Sequence, residues 1–590
     1  MRKVFTLFVA IILSCNFSYS QSWQWAKSGG SSDNSASVGT GNEEDVYDMA
    51  TDPHGNIYVL ATVQQTGANV DGHTIPTWGD RDNVVLTSFR CDGTYRWSKV
   101  LGNNNGGGQP VALKTDPLGG IYIAMGLDNY SAAHFDTDTT VPYSSHFRQF
   151  LLIKYDTAGH LKWFHWPESD TMTAPATWTF SPDLFDISTD EAGNVYMLCS
   201  LSPGANCDGA YIVPPSANTA MVILKYNSSG AFAGGIPIAI TTTGYPPMAL
   251  KMRRNANNGR FYITGSLQDI AGGGTLAFGG IPITHNMFVA CFSSTGTLIW
   301  QKQSANVSPS YADASFVAID MDATGDIYLT GHIRDLDTFN TYVAHNMLSS
   351  TPYSVPIIAK MDSNGNNLWI KNAYESDGET GSTAITVNGN EVDIAGAYGG
   401  KFTWPGLSDT FGYPINTYLY NVFVARFNAT TGAILKQDTV ASGLLENEYP
   451  HAMTADRFGN FYTGGKFDYQ MFFSCGDTLT SIGGESDFFL AKYGTSNCST
   501  PITTLETPRQ EVQDEMVRIY PNPATNELTI ENASAGTAIK LFNMMGQQVY
   551  DGQINDTKQT INLQNLVPGT YFLQITDTNG NRINRTVVKQ

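Results

Sequence analysis

A ten-residue pattern recurs seven times along this chain, and that recurrence constrains the fold more than any other feature. TDPHGNIYVL at 51–60 returns as TDPLGGIYIAMG (115–126), TDEAGNVYMLCS (189–200), NANNGRFYITGS (255–266), MDATGDIYLTGH (321–332), TVNGNEVDIAG (386–396) and ADRFGNFYTGG (455–465). The glycines at 55, 119, 193, 259, 325, 389 and 459 are separated by 64, 74, 66, 66, 64 and 70 residues. So even a period marks an array of similar supersecondary units. A second pattern interleaves with the first: VVLTSFRCDGTYRWSK (84–99), LLIKYDTAGHLKWFH (151–165), VILKYNSSGAF (222–232), FVACFSSTGTLIWQK (288–302), IIAKMDSNGNNLWIK (357–371) and FVARFNATTGAILKQ (423–437). Each is an alternating apolar run, a short turn containing Gly and a second run, which reads as a β-hairpin. One period therefore holds two hairpins, or four strands.

Asp52, Gly55 and Asn56 raise the alternative of a cation loop. The copies at Gly259 and Gly389 lack the Asp, and the spacing matches no calcium loop with alternating Asp ligands. A turn explains every copy: Asp, Asn or Ser at its first position accepts from backbone N–H groups ahead of it, and Gly supplies the positive φ that rejoins the strands.

Four-stranded units repeated radially make a β-propeller, and an open array would leave strand edges exposed. The seventh unit stops at DFFLAKYG (487–494) without a fourth strand, while SWQWAKSGG (22–30) stands near the start. Trp25-Ala26-Lys27 matches Trp97-Ser98-Lys99, Trp300-Gln301-Lys302 and Trp369-Ile370-Lys371, all in fourth strands. The expected fold is thus an all-β, seven-bladed propeller whose last blade is completed by the N-terminal strand. The copies resemble the bacterial SBBP-type propeller repeat, roughly Asp-x-x-Gly-Asn-x-Tyr-x-x-Gly followed by Phe-Val-Ala-Lys-Tyr, carried by Asp322, Gly325, Tyr328, Gly331 and Phe488 to Tyr493. That resemblance covers residues 21–495 and implies architecture, not a ligand.

Residues 496–516 have no apolar periodicity and read as a linker. From 517 to 590, short alternating runs separated by Pro-Asn-Pro, Met-Gly, Pro-Gly and Asn-Gly suggest a small Ig-like β-sandwich. Tyr520-Pro521-Asn522-Pro523, the turn at Gly546, Pro568-Gly569-Thr570-Tyr571 and the terminal Val587-Val588-Lys589 resemble the type A sorting domain of the type IX secretion system of Bacteroidetes. The resemblance implies export across the outer membrane, with a translocon as the partner that reads this segment. Residues 1–20, with Arg2, Lys3 and an apolar run to Leu13, read as a secretory signal peptide. No later window is apolar enough to span a membrane.

Removing Arg2 and Lys3 with that leader takes the formal charge from −20 to −22, which argues against nucleic acid as a partner. The cysteines at 91, 199, 207, 291, 475 and 498 are too sparse for a disulfide framework; Cys199 with Cys207 and Cys475 with Cys498 are the plausible local pairs. No Cys/His cluster suggests a metal, and nothing suggests a cofactor.

Within each unit the second-to-third and fourth-to-next connections are long and emerge on one face, where binding residues are favoured. Trp78, Tyr143, Trp178, Tyr245, Tyr311, Trp404 and Tyr413 lie in these loops and form the candidate set for stacking on a sugar or anchoring a protein. The plainer reading of each ring is that it packs its loop onto the blade. No nucleophile elbow, His-Glu-x-x-His or phosphate loop is present. The expected role is non-catalytic binding of an extracellular glycan or protein. The alternatives are a hydrolase or lyase whose carboxylates Asp48, Asp186 and Asp320 meet in the propeller mouth, and a structural surface-layer component.

Overall fold

The computed structural model describes residues 21–498 and 518–590, except 33–43, 65–66, 79–82, 104–107, 128–131, 137–138, 142–148, 167–182, 202–203, 208–209, 215–219, 244–248, 267–274, 286, 306–313, 335–336, 345–352, 375, 377, 408–418, 443–446, 484–485, 532–535, 544–547, 557 and 577–581. The expected signal peptide at 1–20 and most of the expected linker lie outside the described residues. The chain divides into two compact units, residues 1–502 and 503–590. Every regular element among the described residues is a β-strand.

The first unit is a β-propeller; among the described residues four of its larger antiparallel sheets are four-stranded and three are six-stranded, the extra strands of the latter being short hairpins. Six have four-stranded cores each drawn from one stretch of chain, spanning 46–103, 108–165, 183–237, 249–305, 315–372 and 380–439. In the seventh, Glu448–Ala455, Phe461–Phe467 and Asp487–Gly494 are joined by Ser22–Gly30, which runs antiparallel to the third strand with Ala26 opposite Ala491 and Gly29 opposite Phe488. Hydrogen bonds join the first strands of neighbouring sheets: Thr115 Oγ1 donates to Thr51 O (2.6 Å), Thr189 Oγ1 to Thr115 O (2.8 Å) and Val387 N to Asp320 Oδ2 (2.9 Å). Thr51 Oγ1 in turn donates to Ala455 O (2.6 Å), linking the first sheet to the seventh.

In the first copy the turn itself takes up both carboxylate oxygens. Asp52 Oδ1 accepts from His54 N and Asn56 N, and Oδ2 from Asn56 Nδ2 and the Tyr58 hydroxyl at 2.8 Å. The same phenol-to-carboxylate bond joins Tyr122 to Asp116, Tyr196 to Asp190, Tyr328 to Asp322 and Tyr462 to Asp456. Gly55 takes φ 78°, the positive value the turn needs. The repeat's Tyr is thereby explained: its ring packs in the sheet and its hydroxyl occupies the oxygen a cation would need. Burial raises the Tyr58 and Tyr462 phenols well above their ordinary range, and the facing Asp adds to the shift. Tyr462→Phe leaves Asp456 Oδ2 short of a donor in a buried place, and is expected to cost about 1–3 kcal/mol of unfolding free energy with no dependence on added Ca²⁺. Stabilisation of the wild type by Ca²⁺ that this variant abolishes would contradict the assignment.

Fourth-strand tryptophans tie five of these sheets to the next; the fourth strands Phe232–Pro237 and Ile434–Thr439 carry none. Indole Nε1 groups donate to a carbonyl of the third-to-fourth turn in the next sheet: Trp25 to Cys91 O (3.0 Å), Trp97 to Thr157 O (3.3 Å), Trp163 to Ser228 O (3.2 Å), Trp300 to Ser363 O (3.3 Å) and Trp369 to Ala429 O (3.1 Å). The rings lie against the turn glycines, so a Cβ at Gly159 would meet the Trp97 ring at 2.9 Å. Two residues on, Lys27 and Lys99 pair with Asp71 and Asp136, both in the following sheet's insertion.

Those insertions, the long second-to-third connections, fold back as short hairpins. Asn69–Val70 pairs with Ser22–Gly30, Ala133–Phe135 with Tyr95–Asn103, and Thr338–Phe339 with Leu298–Ala305, each on the outer strand of the preceding sheet. Thr275–Phe278 and Gln470–Phe472 pair with the short strands that follow the preceding sheet's fourth strand, and Thr403 bridges Tyr374 likewise. Much of the expected loop-rich surface therefore covers open sheet edges, a liability in any propeller.

The cysteine pairing differs from the expectation. The disulfide is Cys91–Cys498, Cα atoms 5.6 Å apart, which joins the third-to-fourth turn of the first sheet to the chain just past the seventh. Cys475 is exposed, and Cys199 and Cys207 are buried as thiols in one core.

In the second unit, a three-stranded sheet (Arg518–Tyr520, Glu527–Glu531, Lys558–Asn562) and a four-stranded one (Ala538–Asn543, Gln548–Gln553, Gly569–Thr576, Arg582–Lys589) share one core that includes Leu528, Ile530, Ile539, Leu541, Ile561, Leu573 and Val587.

Candidate functional site

The first strands of the sheets bring charges together in a central channel. Counting back from each turn's first residue, the position two earlier holds Lys114, Arg253 and Asp320, and the position four earlier holds Asp48, Asp186 and Lys251. In a strand these positions share a side. Tyr47, Asp48, Lys114, Asp186, Lys251, Arg253 and His451 line one cavity there, and Asp320 an adjoining one. The three carboxylates are legible one by one in the sequence, whereas the cations emerge only when the repeats are superposed, which shows both registers.

The carboxylates act as clasps between sheets. Asp48 accepts from Met49 N (2.9 Å), from Leu113 N of the next sheet (2.8 Å) and from Lys114 Nζ (2.5 Å). Asp186 accepts from Ile187 N and, across the sheet boundary, Met252 N, both at 2.8 Å. Asp320 accepts from Val387 N (2.9 Å) and from Arg253 Nε (3.3 Å), whose Nη1 lies 3.6 Å from Asp186. Burial works against the charge on Asp48, but Lys114, Lys251 and the Leu113 N–H outweigh it and hold the carboxyl below its usual range. Burial likewise opposes the Arg253 charge, and Asp320, Asp186 and Asp48 more than restore it.

This arrangement does not supply the acid of a glycosidase, which needs one carboxyl held neutral near a second that is charged. Asp48 is held ionised, and one guanidinium stands between Asp186 and Asp320. The cavities offer about 50 Å³ and about 180 Å³, below the roughly 300–1,000 Å³ of pockets that enclose a small ligand.

Of the candidate aromatics, Trp404 is fully buried, edge-on to Phe427 at 4.9 Å, so its face is closed to a ligand. Its loop turns inward because Thr403 is bridged to Tyr374. Trp78 is half-buried and stacks on His134 of the next insertion at 4.1 Å. Tyr143, Trp178, Tyr245, Tyr311 and Tyr413 lie outside the described residues.

In the second unit, the Tyr520 hydroxyl donates to Glu531 (3.0 Å), and Asn522 Oδ1 accepts from Val588 N (2.9 Å). Pro521 and Pro523 flank that Asn, and Ala524 exchanges backbone bonds with Val588 and Gln590. Gly569, after Pro568, stands opposite Lys589, while the Tyr571 hydroxyl donates to Val567 O (2.7 Å). The two motif ends are thus stitched to the terminal strand. Gly546 lies outside the described residues.

Residues 518–589 match the family described as the secretion system C-terminal sorting domain. An endo-acting ulvan lyase of Formosa agariphila is 25% identical over 89 residues, 15% of this chain and 17% of that protein. Among solved structures, PorZ, a surface component of the type IX secretion system of Porphyromonas gingivalis, aligns over 92% of this chain and 81% of its own at 9% identity and TM-score 0.22. The β-propeller domain of the trilobed protease of Pyrococcus furiosus aligns over 75% and 96% at 8% identity and TM-score 0.36. Scores this low carry no argument about function. The sorting domain places the protein on the type IX route to the cell surface or extracellular space, and no helix among the described residues is long and apolar enough to cross a membrane.

Proposed function

We propose that this protein is a surface-delivered, seven-bladed propeller of SBBP-type repeats, closed by its N-terminal strand and carried out by an Ig-like sorting domain, and that it binds an extracellular glycan or protein without turning it over. The proposed organisation is a signal peptide at 1–20, the propeller at 21–495, a linker at 496–516 and the sorting domain at 517–590. The observation that carries the non-catalytic reading is the commitment of the channel carboxylates to clasps and ion pairs. With the axis occupied by the fold's own charges, the ligand surface falls to the loops between sheets, with Trp78, Tyr143, Trp178, Tyr245, Tyr311 and Tyr413 as candidates. The test is a glycan array probed with the full chain, beside depolymerisation assays on the same polysaccharides. Retention without new chain ends supports binding. Turnover would replace this reading with a hydrolase or lyase, and self-assembly on cells without glycan retention would replace it with a surface-layer role.

A further inference from the structure

We propose that Glu44 and Asp487 share one proton across the joint between the first and last sheets, making that joint an alkali-sensitive latch. Glu44 stands just before the first sheet, and Asp487 opens the third strand of the seventh. Both side chains are buried, Asp487 completely. Between them lies the end of the closing strand: a Cβ at Gly30 would sit 2.1 Å from Asp487 Oδ1 and 2.5 Å from Glu44 Oε2. Glu44 accepts from Ser31 N on Oε2 (2.7 Å) and from Ser31 Oγ (2.5 Å) and Gln64 N (2.8 Å) on Oε1, which leaves a lone pair on Oε2 for one more donor. Asp487 Oδ2 takes Ile482 N at 2.6 Å, whereas among the described residues no N–H or O–H reaches Oδ1, which faces Glu44.

Two charged carboxylates in that position would repel at low dielectric, and a proton on Asp487 Oδ1 turns the contact into a hydrogen bond to Glu44. Among the described residues, the charged groups on the surrounding elements are engaged elsewhere: Lys27 with Asp71, Asp45 with His451, Asp48 with Lys114, Lys466 over the Tyr449 ring, and Lys492 beside the disulfide. At Glu379, where Ser354 donates as Ser31 does to Glu44, Arg334 Nη2 supplies the positive charge at 3.2 Å. At Glu44 the neighbour is instead an acid, Asp487. Burial raises both carboxyls above their ordinary range, and the Glu44 charge adds to the shift at Asp487.

The sign follows from the raised value. Above the ordinary carboxyl range the unfolded chain ionises while the folded pair keeps its proton, so stability falls as pH rises until the folded pair itself titrates. The test is unfolding of the full chain from about pH 5 to about pH 9. For one retained proton the folded-to-unfolded ratio should fall about tenfold per pH unit more in the wild type than in Asp487→Asn, which keeps a donor toward Glu44. Glu44→Gln provides the second variant. Hydrogen exchange on the wild type, corrected for intrinsic rate, should show Ser22–Gly30 losing protection at alkaline pH before Val195–Leu201 does. Equal pH slopes in wild type and both variants, or an unchanged order of protection, would overturn the proposal. So would Ca²⁺ stabilising the wild type and not Asp487→Asn, because a cation would then hold the pair.

Discussion

Cys498→Ser is expected to lower the stability of the first unit by up to about 6 kcal/mol, the chain-entropy value for opening so long a loop. The disulfide spans 407 residues and attaches the chain beyond the seventh sheet to a turn of the first. It closes nearly the whole unit, so the unfolded ensemble gains more freedom from its loss than from that of any short staple. Its surroundings are built for it. Trp25 of the closing strand donates to Cys91 O, Asn460 Nδ2 donates to Asn497 O at 2.8 Å, and the buried Lys492 ammonium lies 3.2 Å and 3.4 Å from the two sulfurs. Burial brings Lys492 down to about 8, against the pull of Asp456 and Asp92. Chemical denaturation of Cys498→Ser and of the reduced wild type should give the same reduced midpoint, with Cys475→Ser as a control near wild type. A midpoint unchanged by reductant would show that the cross-link does not restrain the unit.

Trp23→Ala is expected to cost about 3–5 kcal/mol, the range for removing a large buried aromatic. Trp23 is 2% exposed and meets Phe473 and Tyr493 edge-on at 5.2 Å and 5.1 Å. It lies on the strand that travels furthest along the sequence to its partner, so the loss should appear as release of that strand. Proteolysis should then cut near residues 22–30 while the first six sheets stay protected. A variant as stable as wild type would mean that Ser22–Gly30 contributes little to holding the seventh sheet.

The repeat made the four-stranded units legible, because period-two alternation and turn chemistry are local. The role of the repeat's Tyr was not, since its hydroxyl acts six residues back on the Asp of its own turn while its ring packs in the sheet interior. The Trp-x-Lys match located the closing strand, but the indole's partner lies in the next sheet, some sixty residues away, where no local pattern reaches. For the same reason the sequence favours cysteine pairs nearer to one another than Cys91–Cys498. The inserted hairpins were mistaken for open loops because two- and three-residue strands carry almost no alternation. Trp404 shows the cost at the site: an aromatic in a long connection looks the same whether it faces solvent or turns inward, and a single backbone bridge at Thr403 decides the matter. The channel cations Lys114, Lys251 and Arg253 become legible only when the repeats are set in register.

Completion of the last sheet depends on the N-terminal strand serving as its outer strand. Ala26 and Ala491 are buried cross-strand partners, so the direct measurement is oxidation of the full-length Ala26→Cys/Ala491→Cys double variant, followed by peptide mapping. The account predicts one dominant new disulfide joining residues 26 and 491 in a chain that keeps its fold. A folded chain in which those two cysteines stay reduced, or bridge to other partners, would contradict it.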